Sequence, residues 1–140
     1  MQGPFKFQAR YKYPHLTDGE GAIWQRFIEK YPDWFEHVWY DVEIGTCRDD
    51  FKTGTPEFEK HKQYLNKYKI DVVGKKGNQY TIVEVKREAT SKALGEIQLY
   101  FHCFLRDWKS EAPTKTMILT DIEMPEMREI CELDDTQLVI

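Results

Sequence analysis

Cysteine is scarce in this chain: Cys47, Cys103 and Cys131 stand far apart with no Cys-x-x-Cys pair, which excludes a disulfide framework and a thiolate zinc site. They read as reduced thiols packed as small apolar groups. Long apolar runs are missing as well, since no stretch nears the roughly 20 residues of a membrane-spanning helix. Met1 is followed by Gln-Gly-Pro-Phe-Lys rather than by a basic and then apolar leader. We therefore expect a soluble, cytoplasmic protein with no membrane partner. His15, His37 and His61 lack the His-x-x-x-His spacing of a metal site and read as surface or packed histidines. Repeats, low-complexity tracts and Ser/Gly linkers are absent, so the 140 residues make one domain with residues 1–16 as an N-terminal arm. Net positive charge is lacking too. A formal charge of -4 excludes a polycation that coats nucleic acid or anionic membrane by bulk attraction.

What is present is an uneven distribution of that charge. From Lys52 to Lys92 ten Lys/Arg stand against five Asp/Glu, a local +5 that leaves -9 for the rest of the chain. Any nucleic-acid role must come from a local site in this basic middle.

Elements follow from periodicity and punctuation. Thr17-Asp-Gly-Glu20 has the form of a capping box, and Ile23, Trp24, Phe27, Ile28 and Tyr31 follow at helical spacing until Pro32 ends the run. Val38 to Gly45 reads as a strand, and Thr46 to Tyr68 as a long loop with a short helix around Phe58 to Leu65. Lys69 to Gly74 and Tyr80 to Lys86 are strand-like runs joined through Gly77-Asn78, which supplies turn chemistry. Ser91 to Trp108 carries a wide apolar stripe at period 3.6, a second buried helix. Thr116 to Asp121 reads as a strand, Pro125 to Glu132 as a short helix, and Gln137 to Ile140 as a last strand. The aromatic residues Trp24, Phe27, Phe101, Phe104 and Trp108 are expected where the two long helices meet the sheet. The order is α-β-β-β-α-β-α-β, an α/β class.

Side-chain alternation puts Glu84 and Lys86 on one face of their strand. Placing Asp71 opposite Glu84 puts Val73 opposite Ile82 and Lys75 opposite Tyr80, and leaves Lys76 to Gln79 to close the hairpin. Directly opposed like charges repel. A hard divalent cation with oxygen ligands would satisfy both carboxylates, more fully than Lys86 alone.

Ile70-Asp71 followed by Glu84-Val85-Lys86 resembles the Asp...(Asp/Glu)-x-Lys signature of the PD-(D/E)XK nuclease superfamily, with isoleucine where the name has proline. The element order is similar to that superfamily's α-β-β-β-α-β core, the restriction-endonuclease-like fold with a mixed central sheet flanked by helices. Here a C-terminal helix and strand are added. Ile82 to Lys86, Ala93-Leu-Gly95 and Tyr100 resemble small phage-type members, whose helix begins Ala-Leu-Gly-Gln with a tyrosine four residues after the glutamine. In this chain Glu96 stands in the glutamine's place, with Gln98 two positions on, and either could take that role. The resemblance covers about Thr17 to Ile140.

The resemblance implies a metal-dependent nuclease cutting phosphodiester bonds in DNA, with RNA not excluded as substrate. Asp71, Glu84 and the Val85 carbonyl would bind Mg²⁺ or Mn²⁺, with Glu20 reaching the ion directly or through water. Lys86 would hold or deprotonate the attacking water and stabilise charge on the phosphate. Glu96 or Gln98, with Tyr100, would orient Lys86 or touch the nucleic-acid backbone. Lys69 and Lys92, with other lysines of the basic middle, would contact phosphates. A homodimer formed through the aromatic arm is a further expectation. A second reading is a catalytically silent DNA-binding or assembly module of a phage or mobile-element machine.

Overall fold

The structure is a computed structural model that describes residues 2–45, 68–108, 114–122 and 124–140. Thr17 caps as its place in the sequence predicts: its Oγ1 accepts the Glu20 N–H at 3.3 Å. Helix α1 (Asp18–Lys30) follows and buries Ile23, Trp24, Phe27 and Ile28. It ends where Tyr31 donates its N–H to the Phe27 carbonyl just ahead of Pro32. The expected short helix around Phe58 to Leu65, Cys47, and Lys60, Lys62 and Lys67 lie outside the described residues.

Around α1 the described residues build six strands and two further helices. They are β1 (Gln2–Lys6), β2 (His37–Ile44), β3 (Tyr68–Lys76), β4 (Gln79–Glu88), α2 (Ser91–Trp108), β5 (Thr114–Ile122), α3 (Pro125–Leu133) and β6 (Thr136–Val139). All six strands form one sheet in the order β1-β2-β3-β4-β5-β6. Pairings are antiparallel from β1 to β4 and parallel from β4 to β6. The sheet is mixed because β3–β4 closes with a tight hairpin while β4–β5 is bridged by a helix, the connection parallel strands require.

The N-terminal arm, to which the sequence assigned no element, adds β1 to the edge of the sheet, and Phe7, Tyr13 and Leu16 join the core. The β3–β4 register is the expected one, with Val73 opposite Ile82 and Lys75 opposite Tyr80. The ladder runs one pair further, to Lys76 and Gln79, so Gly77 and Asn78 alone make the turn. Gly77, at φ 59°, takes the left-handed conformation that a two-residue hairpin turn needs.

Helices cover both faces. On one side α1 packs Trp24 and Phe27 against Val38, Tyr40, Val72, Val83 and Val85, and the Trp24 indole N–H donates to the Tyr40 hydroxyl at 3.0 Å. On the other, α2 and α3 pack against Val42, Ile70, Val73, Ile82 and Ile118. There Trp108 meets Phe104 at 4.7 Å and Trp39 and Tyr80 at 5.5 Å between ring centres. The expected aromatic interface of two helices with the sheet is thus present on both faces.

Facing does not alternate cleanly through the middle of β2 and β3. Tyr40 and Val72 face α1, whereas Val42 and Ile70, two residues along each strand, join the α2 side. Between Tyr40 and Val42 lies Asp41, at φ 51°. A left-handed residue inside a strand turns the chain over, and here it does so beside Asp71.

Close approach sets one further position. Gly74 lies under the buried Phe35 ring, and a Cβ there would come within 2.5 Å of it. Gly74→Ala should therefore destabilise the fold by about 1–3 kcal/mol, read as a lower urea midpoint at unchanged slope. An unshifted midpoint would show that the ring moves freely.

Candidate active site

The site begins where the β3–β4 ladder stops. Val72 and Val83 are its last regular pair, and the same register carried one step further sets Asp71 against Glu84. Carboxylates replace the main-chain partners there. The Val85 N–H donates to Asp71 Oδ2 at 2.9 Å, and the Asp71 N–H donates to Glu84 Oε1 at 3.4 Å. Both acids are buried, Asp71 with 8% and Glu84 with 2% of its surface exposed.

Burial of two like charges together has a price in protonation. Desolvation pushes the Asp71 carboxyl up from 3.8 to about 6, and the negative charge of Glu20, in the first turn of α1, adds to the rise. The Val85 N–H, Lys86 and His15 work against it. Glu84 is driven well above the ordinary carboxylate range, first by burial and then by Asp71. Water loss and mutual repulsion exceed what the neighbouring cations return.

Lys86 emerges from β4 with its Nζ 3.9 Å from Glu84 Oε2 and 3.2 Å from Glu96 Oε2. Burial lowers its pKa, but Glu84 and Glu96 outweigh that and hold the ammonium above its ordinary value. Lys86 is therefore a fixed cation shared by two acids. Glu96, from the first turns of α2, also meets Lys92 Nζ at 3.8 Å. Gln98 points elsewhere, donating its amide to Asp134 Oδ1 at 2.7 Å beyond α3. Of the two helix positions left open by the sequence, the structure brings Glu96 to Lys86. Tyr100, one turn on, has its phenol held protonated by burial and by the charges of Glu84, Glu96 and Asp71, so it borders the same site.

Two residues at the site escaped sequence reasoning. Tyr40 faces Val72 and Val42 faces Ile70, so Asp41 falls opposite Asp71 and continues the row of acids onto a third strand. His15, itself at φ 68°, sits between them, its Nδ1 3.5 Å from Asp41 Oδ1 and its Nε2 3.9 Å from Asp71 Oδ1. Lys69 Nζ lies 3.7 Å from the same Asp41 oxygen, which is buried without a hydrogen bond. A charged residue in the middle of a β-branched and aromatic strand was the available signal for Asp41. Nothing in the spacing of His15 announced it.

Hard oxygen donors suit Mg²⁺ or Mn²⁺, and the two buried carboxylates with the adjacent Val85 peptide supply them. Among the described residues no three His, Cys, Asp or Glu side chains converge tightly enough to hold an ion unaided. An ion at Asp71 and Glu84 would therefore keep water in its other positions, as Mg²⁺ usually does.

Linkage gives the site a pH signature. Asp71 titrates near 6 when folded and near 3.8 when unfolded, so across that window the native state binds more protons and loses stability as pH rises. The gap corresponds to at most roughly 3 kcal/mol. Asp71→Asn keeps an acceptor for the Val85 N–H and removes the charge. Its melting temperature should climb relative to wild type from about pH 4 to pH 7. A difference that stays constant with pH would contradict the raised carboxyl.

Comparison with protein-family models, curated proteins and solved structures finds no match to this chain, and its functional reading rests on the chemistry of the Asp71–Glu84–Lys86 site.

Proposed function

We propose that the protein is a metal-dependent nuclease that hydrolyses phosphodiester bonds in DNA. The observation that carries this is the buried Asp71–Glu84 pair, whose repulsion a divalent cation would relieve, with the Lys86 ammonium beside it. The order α1-β2-β3-β4-α2-β5 supports the restriction-endonuclease-like core that the motif implies. Asp71, Glu84 and the Val85 carbonyl would hold Mg²⁺ or Mn²⁺, with Glu20 contributing from α1. When bound, such an ion lowers the pKa of its water and offsets phosphate charge.

The chain's own residues supply the rest. Lys86, with its pKa raised, enters the reaction protonated. That favours orienting the attacking water and stabilising charge on the phosphate over taking a proton. Glu96 fixes the ammonium at 3.2 Å and so sets where that charge sits. Water oxygen bonds to phosphorus as its proton passes to solvent, the bond to the departing 3′-oxygen breaks and that oxygen takes a proton from solvent, so the products are a 3′-hydroxyl and a 5′-phosphate, as in the superfamily that the motif resembles. Lys69 and Lys92, expected to contact phosphate, are engaged with Asp41 and Glu96. Their phosphate role requires exchange of those partners.

One observation favours a second reading, a silent DNA-binding or assembly module: Glu96, standing where the family's small phage-type members carry glutamine, ties up the Lys86 ammonium at 3.2 Å. RNA remains an alternative substrate.

The experiment is incubation of the protein with single-stranded, duplex and branched DNA, and with matched RNA, in Mg²⁺ or Mn²⁺. Cleavage is expected, lowered at least about a hundredfold in Asp71→Asn and in Glu84→Gln. Absence of cleavage on every substrate, with wild type and Asp71→Asn giving identical metal titrations, would overturn the proposal. Lys86→Gln should cut kcat by roughly a hundredfold or more with KM little changed, because its charge acts on the transition state.

A further inference from the structure

Asp41 is the third acid in the row that crosses β2, β3 and β4, and it has no part in holding the ion proposed above. Its Oδ1 is buried and accepts no hydrogen bond. Two groups approach that oxygen instead, Lys69 Nζ at 3.7 Å and His15 Nδ1 at 3.5 Å. At these lengths the lysine contact is one of charge rather than a directed hydrogen bond. Among the described residues three that are not glycine have positive φ, and two of them, Asp41 at 51° and His15 at 68°, meet here. Backbone strain of this kind persists only where the surroundings over-determine it, and it gathers at functional sites.

The consequence of the contact follows from where the ammonium would otherwise go. Lys69 stands two residues before Asp71 on β3, and its flexible four-carbon stem can swing to either acid. One ammonium, that of Lys86, already acts on both Asp71 and Glu84. A second, settling on Asp71, would answer the pair's repulsion from within the chain and leave a divalent cation less to gain. Asp41 offers Lys69 another anchor, opposite Asp71 on the neighbouring strand. With its own charge met by that ammonium, Asp41 is a poor ligand but an effective counter-charge.

We propose that Asp41 is a positioning residue: it holds Lys69 away from Asp71 and so keeps the Asp71–Glu84 pair open to a divalent cation. The proposal rests on reading Asp71 and Glu84 as a metal site, and it gives the strained Asp41 a task that the ligands themselves do not perform.

The test is calorimetric titration of the full chain with Mn²⁺ alone, in the absence of nucleic acid. Asp41→Asn removes the charge and keeps the backbone, since asparagine tolerates the left-handed conformation as aspartate does. It should weaken Mn²⁺ binding roughly tenfold, as loss of a group that orders a metal site from outside generally does. Lys69→Gln alone should leave the affinity within about twofold of wild type, because the ammonium is already held off the pair. Combining the two should recover most of the tenfold loss, so that the substitutions couple rather than add. Asp33→Asn removes an acid whose carbonyl meets Lys76 at the far end of β3, and should leave the affinity at its wild-type value.

Unchanged affinity in Asp41→Asn would overturn the proposal. So would an equal loss with and without Lys69, which would mean that the charge of Asp41 attracts the ion directly. Several-fold tighter binding in Lys69→Gln alone would overturn it as well, since the ammonium would then compete with Mn²⁺ in the wild type. That single variant provides the reading should Asp41→Asn fail to melt cooperatively. The metal site is scored separately: wild-type binding that disappears in Asp71→Asn sustains it whatever Asp41 does, and a wild-type chain that takes up no Mn²⁺ sinks both.

Discussion

Two carboxylates share a buried step of the β3–β4 hairpin, and much of the molecule can be understood as the means of keeping them there. The Gly77-Asn78 turn sets the register, the register sets Asp71 against Glu84, and the paired side chains take the backbone N–H groups that the ladder would otherwise use. Burial then makes the pair unfavourable in its charged form. A fold carries such a cost only when packing elsewhere over-determines it. Here that packing comes from both faces of the sheet, through Trp24, Phe27 and Tyr40 on the α1 side and Ile97, Phe104 and Trp108 on the other.

Elements whose evidence is local were legible in the sequence. Thr17 and Glu20 marked the start of α1, the apolar stripe marked α2 from Ser91 to Trp108, and setting Asp71 opposite Glu84 gave the hairpin register, although the ladder closes one pair further, inside the expected loop of Lys76 to Gln79. What depended on long-range geometry was not. Strand β1 contains Gly3 and Pro4, which argue against a strand and are tolerated because β1 lies at the sheet's edge. Pairing of β2 with β3 spans a connection too long to set a register, so the position of Asp41 opposite Asp71 could not be read from either segment. Its left-handed backbone is equally silent in the sequence, because Asp tolerates that conformation without demanding it.

The choice between Glu96 and Gln98 shows the same division. Helical spacing separates the two by about 200° around α2, but which direction faces Lys86 depends on how the helix sits on the sheet. The structure turns Glu96 to Lys86 and Gln98 to Asp134. An acid at that position holds the lysine by charge, adding negative potential where an amide would only hydrogen-bond. That potential raises Lys86 and Tyr100 together, and deepens the site's demand for a cation.

Crystals soaked in Mn²⁺ and measured at the manganese edge test the central claim most directly. The account predicts an anomalous peak between Asp71 and Glu84, with oxygens of both carboxylates at roughly 2.0–2.3 Å. Density free of any peak there, with the Lys86 ammonium still shared between Glu84 and Glu96, would contradict it.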